Sequence, residues 1–270
     1  MNILCVGNSF SRDTVEHIHE IAKNAGMTSF RFANLYIGGC SINRHYQNAT
    51  ENLADYRYSE TTGGPWEGEE MVSIADALKK GPWDIISIQH GTGDKSRYTS
   101  PESYVNLPAL IEYIKDRCDF PVRLVFNMAW VADPESKHHE ISSYGGDQLL
   151  MYENLTKVTK DVVAPLVDAV SPAGTAIQNL RTCMNKKLTR DNFHLSYDLG
   201  RFTAGLTFLH ALTDLDLEQV VWAPEGVTEE ERDLAKIAAS LAVKNNTSVQ
   251  NVDISSLQGI LRQNQILTDI

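Results

Sequence analysis

The chain opens on a short apolar run, Ile3 to Val6, that closes at Gly7, and Thr14 to Ala25 then carries apolar residues at Val15, Ile18 and Ile21 among polar ones. The first pattern predicts a buried strand and the second an amphipathic helix, joined by a tight turn. Phe30 to Ile37, Ile85 to Gln89 and Val122 to Met128 predict further strands, with a weaker one at Thr175 to Ile177. Helical spacing marks Ser103 to Arg117, Gln148 to Val170, Leu199 to Leu212 and Thr228 to Val243, and a last helical segment is expected near Leu257 to Gln265. Strands alternating with helices imply an α/β fold, a three-layer α/β/α sandwich around a mostly parallel central sheet. Cys40 to Glu69 is polar, rich in Tyr, Asn, Thr and Gly, and has no sustained period, so it reads as a long functional loop.

The length of 270 residues fits one domain with a large core, a catalytic core to about residue 212 and a C-terminal helical extension from 213 to 270. Hydrophobic residues make up 42% and charged residues 22%, and no apolar run is long enough for a membrane span, so a soluble protein is expected. The formal charge of -11 argues against a nucleic-acid partner, which would require a basic face. The eight histidines are scattered except for His17/His19 and His138/His139, and no metal site is expected from that spacing. Cys5, Cys40, Cys118 and Cys183 show no paired spacing and read as free thiols. No leader precedes the first strand, which leaves the compartment open, a periplasmic or secreted location with a removed leader included. Nothing in the chain indicates an oligomeric state.

In an open parallel sheet the ligand crevice lies at the carboxyl ends of the strands. The residues there are Gly7-Asn8-Ser9-Phe10-Ser11 after the first strand and Gly38-Gly39-Cys40-Ser41 after the second. Gln89-His90-Gly91-Thr92-Gly93-Asp94 follows the third, Asn127-Met128-Ala129-Trp130 the fourth, and Asp191-Asn192-Phe193-His194 comes before a late helix. Ser9 at a strand-to-helix junction exposes its hydroxyl beside the donors of a helix amino terminus, although a serine there equally serves as a cap. An aspartate three residues before a histidine can fix one ring nitrogen and leave the other for a serine.

Gly7-Asn8-Ser9-Phe10 resembles the Gly-Asp-Ser-Leu block that opens SGNH/GDSL hydrolases, and Asp191-Asn192-Phe193-His194 resembles their closing Asp-x-x-His block. Gly38-Gly39 resembles their second block. The resemblance spans residues 1 to about 212 and implies a flavodoxin-like sandwich, with Ser9 as nucleophile, His194 as base and Asp191 as its orienting partner. It also implies an oxyanion hole from the amides of Ser9 and Gly39, and it requires no cofactor. The chain departs at the third block, where the family's Gly-x-Asn-Asp is Gly91-Thr92-Gly93-Asp94 and the oxyanion asparagine is replaced by glycine. Gln89 is the expected substitute donor, with His90 the other candidate. Trp83-Asp84 followed by Gln89 resembles a less-characterised bacterial branch found near carbohydrate-processing genes.

Asn8, Phe10, His90 and Trp130 are counted as substrate contacts, Trp130 by stacking on a sugar or acyl group or else as a packed core residue. Trp66, Tyr56 and Tyr58 lie in the long loop as pocket wall or as packing residues, and Asn127 is expected to satisfy loop backbone. The resemblance implies hydrolysis of a small O-acyl ester, O-acetyl on a carbohydrate first, so the partner is a small-molecule or glycan ester. A lipid or thioester hydrolase with the same triad and a catalytically silent carbohydrate-binding protein are the alternatives. A phosphate binder is disfavoured because Gly7 to Phe10 lacks a P-loop's lysine and glycines.

Overall fold

The first apolar run forms β1 (Asn2–Gly7), buried from Ile3 onward. Asn8 then caps α1 (Ser9–Val15), which breaks and resumes as α2 (Ile18–Asn24), so the helix begins five residues before the apolar pattern shows it. The chain continues through β2 (Arg31–Tyr36), α3 (Ile42–Thr50), β3 (Tyr56–Thr61), β4 (Glu67–Val72), α4 (Ile74–Lys79), β5 (Ile85–Ile88), α5 (Leu107–Lys115) and β6 (Arg123–Asn127). It ends with α6 (His139–Ser142), α7 (Gln148–Val158), β7 (Ala169–Ser171), α8 (Ala173–Leu180), α9 (Leu199–Leu212) and α10 (Glu229–Lys244). This computed structural model describes residues 1–253 apart from Asp214. The segment expected near Leu257 to Gln265 lies outside the described residues.

The seven strands form one sheet in the order β4-β3-β2-β1-β5-β6-β7. All pairings from β2 to β7 are parallel, while β3 and β4 add an antiparallel hairpin at the edge. Helices flank the sheet: α1, α2, α8, α9 and α10 pack as one group, and α3, α4 and α5 as another. The mostly parallel α/β sandwich is the expected fold. The chain winds outward from β1 in one direction to β2 and in the other to β5, so the crevice of such a sheet opens beside the end of β1. Registers Gly7↔Tyr36 and Val6↔Ile88 bring the ends of β1, β2 and β5 level there.

Three expectations are corrected. The segment Cys40 to Glu69 is not one loop: Ser41 caps α3 by accepting from Arg44, and β3 pairs with both β2 and β4. The edge strand β4 is exposed except at Val72, so its sequence carries charge, the usual protection of a sheet edge, and no apolar alternation. Thr175 to Ile177 is helical, inside α8, where every residue is buried and no amphipathic period can appear. The strand itself is β7, hidden in the predicted helix Gln148 to Val170. That helix ends at Val158, passes through a π turn (Thr159–Val163) and a short turn (Ala164–Leu166) containing Pro165, and gives way to β7. Among the described residues no helix is long and apolar enough to cross a membrane.

One buried acid ties α6 to the loop after β5. Glu140 accepts from the Thr99 amide at 2.9 Å and the Thr99 hydroxyl at 2.7 Å through Oε1, while its buried Oε2 has no hydrogen-bond partner among the described residues. Burial, set against the bonds from Thr99, pushes its carboxyl from 4.5 up to about 7. Between those values the folded chain holds a proton that the unfolded chain has released, so stability falls as pH rises across that window and levels off above it. The expected loss is about 3 kcal/mol. Urea unfolding at pH 5 and pH 8 checks this, with Glu140→Gln expected to lack this part of the decline; an equal decline in both would overturn it.

Candidate active site

The turn out of β1 presents one hydroxyl. Asn8 Oδ1 accepts from the Phe10 amide at 2.9 Å, and the Ser11 hydroxyl accepts from the Asn8 amide at 3.0 Å, which completes a capping box. Asn8 Nδ2 donates to the Cys40 carbonyl at 3.1 Å and so ties this turn to the loop after β2. Ser9 is thereby held at the first position of α1, half-buried, its amide in the unpaired first turn that every helix has.

His194 reaches Ser9 from the far end of the chain. Its Nε2 lies 2.9 Å from Ser9 Oγ and its Nδ1 lies 2.7 Å from Asp191 Oδ2. Asp191 Oδ1 accepts from the amides of Phe193 at 3.0 Å and His194 at 2.6 Å, across an Asn192 at φ 66°, a left-handed conformation that asparagine tolerates. Partial burial alone would raise the Asp191 carboxyl; the His194 ring and these two amides outweigh it and hold it below the ordinary carboxylate range. An ionised Asp191 fixes the Nδ1–H tautomer and leaves Nε2 free to accept a proton.

The loop carrying these two residues is clamped from α1. Buried Asp13 accepts from the Leu195 amide at 2.9 Å, from Arg190 at 3.0 Å and from Arg201 at 2.8 Å. Asp133 completes the frame by accepting from Thr189 and, at 2.6 Å, from Arg181, while its amide donates to Asn192 at 2.8 Å. Nothing in the sequence flagged Asp13. Its partners lie some 180 residues away, and only the return of α9 onto α1 brings them to it.

The loops after β2 and β5 lie backbone to backbone. The Gly93 amide donates to the Gly39 carbonyl at 2.6 Å and the Gly91 amide to the Cys40 carbonyl at 2.8 Å. A Cβ at Gly93 would sit 2.4 Å from the Gly39 oxygen, and Gly39 itself stands at φ 65°. The glycine in place of the third-block asparagine is thus a packing requirement: no side chain fits at that contact.

A family model described as Domain of unknown function (DUF4886) matches residues 2–242. The chain belongs to the DUF4886 family. A crystal structure of a DUF4886 family protein from Bacteroides uniformis is 31% identical, with a TM-score of 0.87 over 93% of this chain and 97% of that one. A mutant of an acetyl-xylooligosaccharide esterase from Geobacillus stearothermophilus is 10% identical, with a TM-score of 0.50 over 78% and 93% of the two chains. A member of the lipolytic G-D-S-L family from Veillonella parvula is 15% identical, with a TM-score of 0.48 over 76% and 94%. At 10% identity the likeness to the esterase is one of fold. No curated protein matches the sequence.

Within this DUF4886 chain several expected roles do not survive the geometry. Gln89 is buried and does not line the cleft, and its amide nitrogen donates to the Asn127 carbonyl on the neighbouring strand at 3.3 Å, so it is not turned toward an oxyanion. None of Asn8, Phe10, His90 and Trp130 is more than 1% exposed, which removes them as substrate contacts. Phe10 packs edge-on to Trp130 with centroids 4.9 Å apart, and Trp130 Nε1 donates to the Phe193 carbonyl at 2.8 Å. Both therefore support the His194 loop from below. His90 contacts the Gly91 carbonyl and, at 3.2 Å, the Ser96 hydroxyl; burial pushes its ring down to about 4, so it stays neutral. Asn127 donates to the Thr14 hydroxyl at 3.0 Å and pins α1 rather than a loop. Tyr56 and Tyr58 are core residues of β3, whereas Trp66 lines a cleft of about 420 Å³ that starts at Ser9. Among the described residues no group of three His, Cys, Asp or Glu side chains is placed to hold a metal.

Proposed function

We propose that this DUF4886 protein is a serine esterase of the SGNH/GDSL type that hydrolyses small O-acyl esters, acetate first, on carbohydrates. The observation that carries this reading is the unbroken line from Asp191 through His194 to Ser9, with distances of 2.7 Å and 2.9 Å. In the reaction His194 Nε2 takes the proton of Ser9 Oγ as the oxygen attacks the ester carbonyl. Asp191 holds the imidazolium that results. The amides of Ser9 and Gly39, neither bonded to a protein acceptor among the described residues, receive the oxyanion; two backbone donors suffice in serine proteases. His194 returns its proton to the departing alcohol. Water, deprotonated by His194, then attacks the acyl-serine and releases the acid and the free hydroxyl. The polar lining of the cleft, with Asn34, Ser59 and Arg57, favours a hydroxyl-rich alcohol over an acyl tail.

The test is a chain-length series of 4-nitrophenyl esters together with fluorophosphonate labelling. Turnover is expected to peak at acetate, and the label to fall on Ser9. A peak at long chains would instead assign a lipid hydrolase. No turnover and no labelling would leave a carbohydrate-binding protein on a hydrolase fold.

A further inference from the structure

The cleft beside Ser9 has a chemical character of its own. Its floor is the face of the sheet that α1 leaves uncovered: registers Gly7↔Tyr36 and Tyr36↔Arg57, with Cys5↔Asn34 and Asn34↔Ser59, put Asn34, Tyr36, Arg57 and Ser59 on one face. Arg12 of α1, whose guanidinium lies 5.1 Å from the centre of the Trp66 ring, lines it together with Trp66 and Glu69 of the hairpin. Trp66 donates to the Glu16 carbonyl at 3.4 Å and so joins the hairpin to α1.

Four arginines line this space, and three of them pair with acids, two sharing one carboxylate. Arg190 and Arg201 bond Asp13, and Arg12 pairs with Glu16 at 3.0 Å. Arg57 differs: it is exposed, its guanidinium lies 5.9 Å from the centre of the Tyr36 ring, and among the described residues no carboxylate lies within ion-pair distance. Asn34 beneath this face is fully buried, and its oxygen accepts from the Ser11 hydroxyl at 2.9 Å, which ties the sheet to α1. An exposed cation with no acid of its own, in the cleft that starts at the nucleophile, describes a site for an anion. Counting Asp13, Glu69 and Glu16 against the four arginines leaves one positive charge, in a chain whose formal net charge is -11. One charge matches a carboxylate better than a phosphate dianion.

We propose that the cleft selects esters whose alcohol part carries a carboxylate, that is O-acylated acidic sugars, and that Arg57 is the residue that binds the acid group. This deepens the hydrolase reading and rests on it for the identity of the reacting bond, whereas recognition of the acid is measured by binding alone. Guanidinium and carboxylate are planar and form paired hydrogen bonds, and the Tyr36 ring lies within cation–π reach of Arg57 at 5.9 Å.

The experiment is calorimetric titration of the full chain carrying Ser9→Ala, which prevents turnover. The ligands are a mono-O-acetylated methyl galacturonoside and the matching acetylated methyl galactoside at low salt. The acid is expected to bind about tenfold tighter. The preference should fall as salt is added, vanish with Arg57→Gln and return in part with Arg57→Lys. Equal binding of the two ligands, or no binding of either, overturns the proposal. So does a preference that survives Arg57→Gln in a protein with unchanged thermal melting. Tighter binding of a matched sugar phosphate overturns the choice of carboxylate. Failure of the hydrolase reading is seen separately, as wild-type protein that turns over no aryl acetate.

Discussion

Ser9→Ala is expected to lower turnover of 4-nitrophenyl acetate by a factor on the order of 10⁴ to 10⁶, and His194→Ala by a similar factor. The double variant should lose no more than either single one. Serine and histidine act as one unit in such a relay: without the imidazole at 2.9 Å the hydroxyl keeps its proton, and without the hydroxyl the imidazole has nothing to deprotonate. Residual activity of either variant should come from the backbone donors and from substrate positioning. Steady-state kinetics of the two single variants and the double variant check this. Losses that multiply in the double variant would mean that the two residues act separately, and full activity in Ser9→Ala would remove Ser9 as nucleophile.

Asp13→Ala is expected to cost roughly 3 to 5 kcal/mol of folding stability, because it removes the buried carboxylate on which two arginines meet and leaves only Arg201 with another acid, Glu16 at 3.6 Å. The effect on chemistry should be distinct from the effect on folding. Asp13 also accepts from the Leu195 amide, one residue beyond His194, so its loss frees the loop that aims the imidazole. Asp13→Asn keeps the shape and removes the charge. In the folded fraction of that variant kcat should fall at least tenfold with KM changed little, since alignment matters most at the transition state. Denaturant midpoints and kinetics at a temperature where both proteins are folded separate the two effects. A stability loss with unchanged kcat would reduce Asp13 to a purely structural residue.

Of the parallel strands, β1, β2, β5 and β6 were legible because each is a short apolar run, whereas the three-residue β7 was not, and α10 was legible because Thr228 and the acids after it mark a helix start. The edge hairpin was not, because β4 faces water along nearly its whole length and has no apolar face to alternate. Nor was α8, whose complete burial erases the helical period. Among the candidate site residues, Ser9, Asp191 and His194 stood out because their local spacing carries chemistry within a few residues. The contact residues were misread for the opposite reason: Phe10, His90 and Trp130 are residue types that serve a pocket or a core equally well, and only burial separates those uses.

What the sequence determined by itself is everything local. The turn after β1, the Asp191-Asn192-Phe193-His194 arch, the caps and the apolar runs each depend on neighbours within about four residues, the reach of a turn or a cap. What only the tertiary structure decided is how segments far apart in the chain meet. It set His194 beside Ser9 across 185 positions, placed Asp13 under the loop that carries His194, turned Gln89 away from the cleft and left Arg57 with no ion-paired acid among the described residues. Those outcomes depend on which strand lies next to which and on which helix covers which face. They follow from burying the apolar surface of the whole chain at once, a cooperative condition that no single stretch of residues contains.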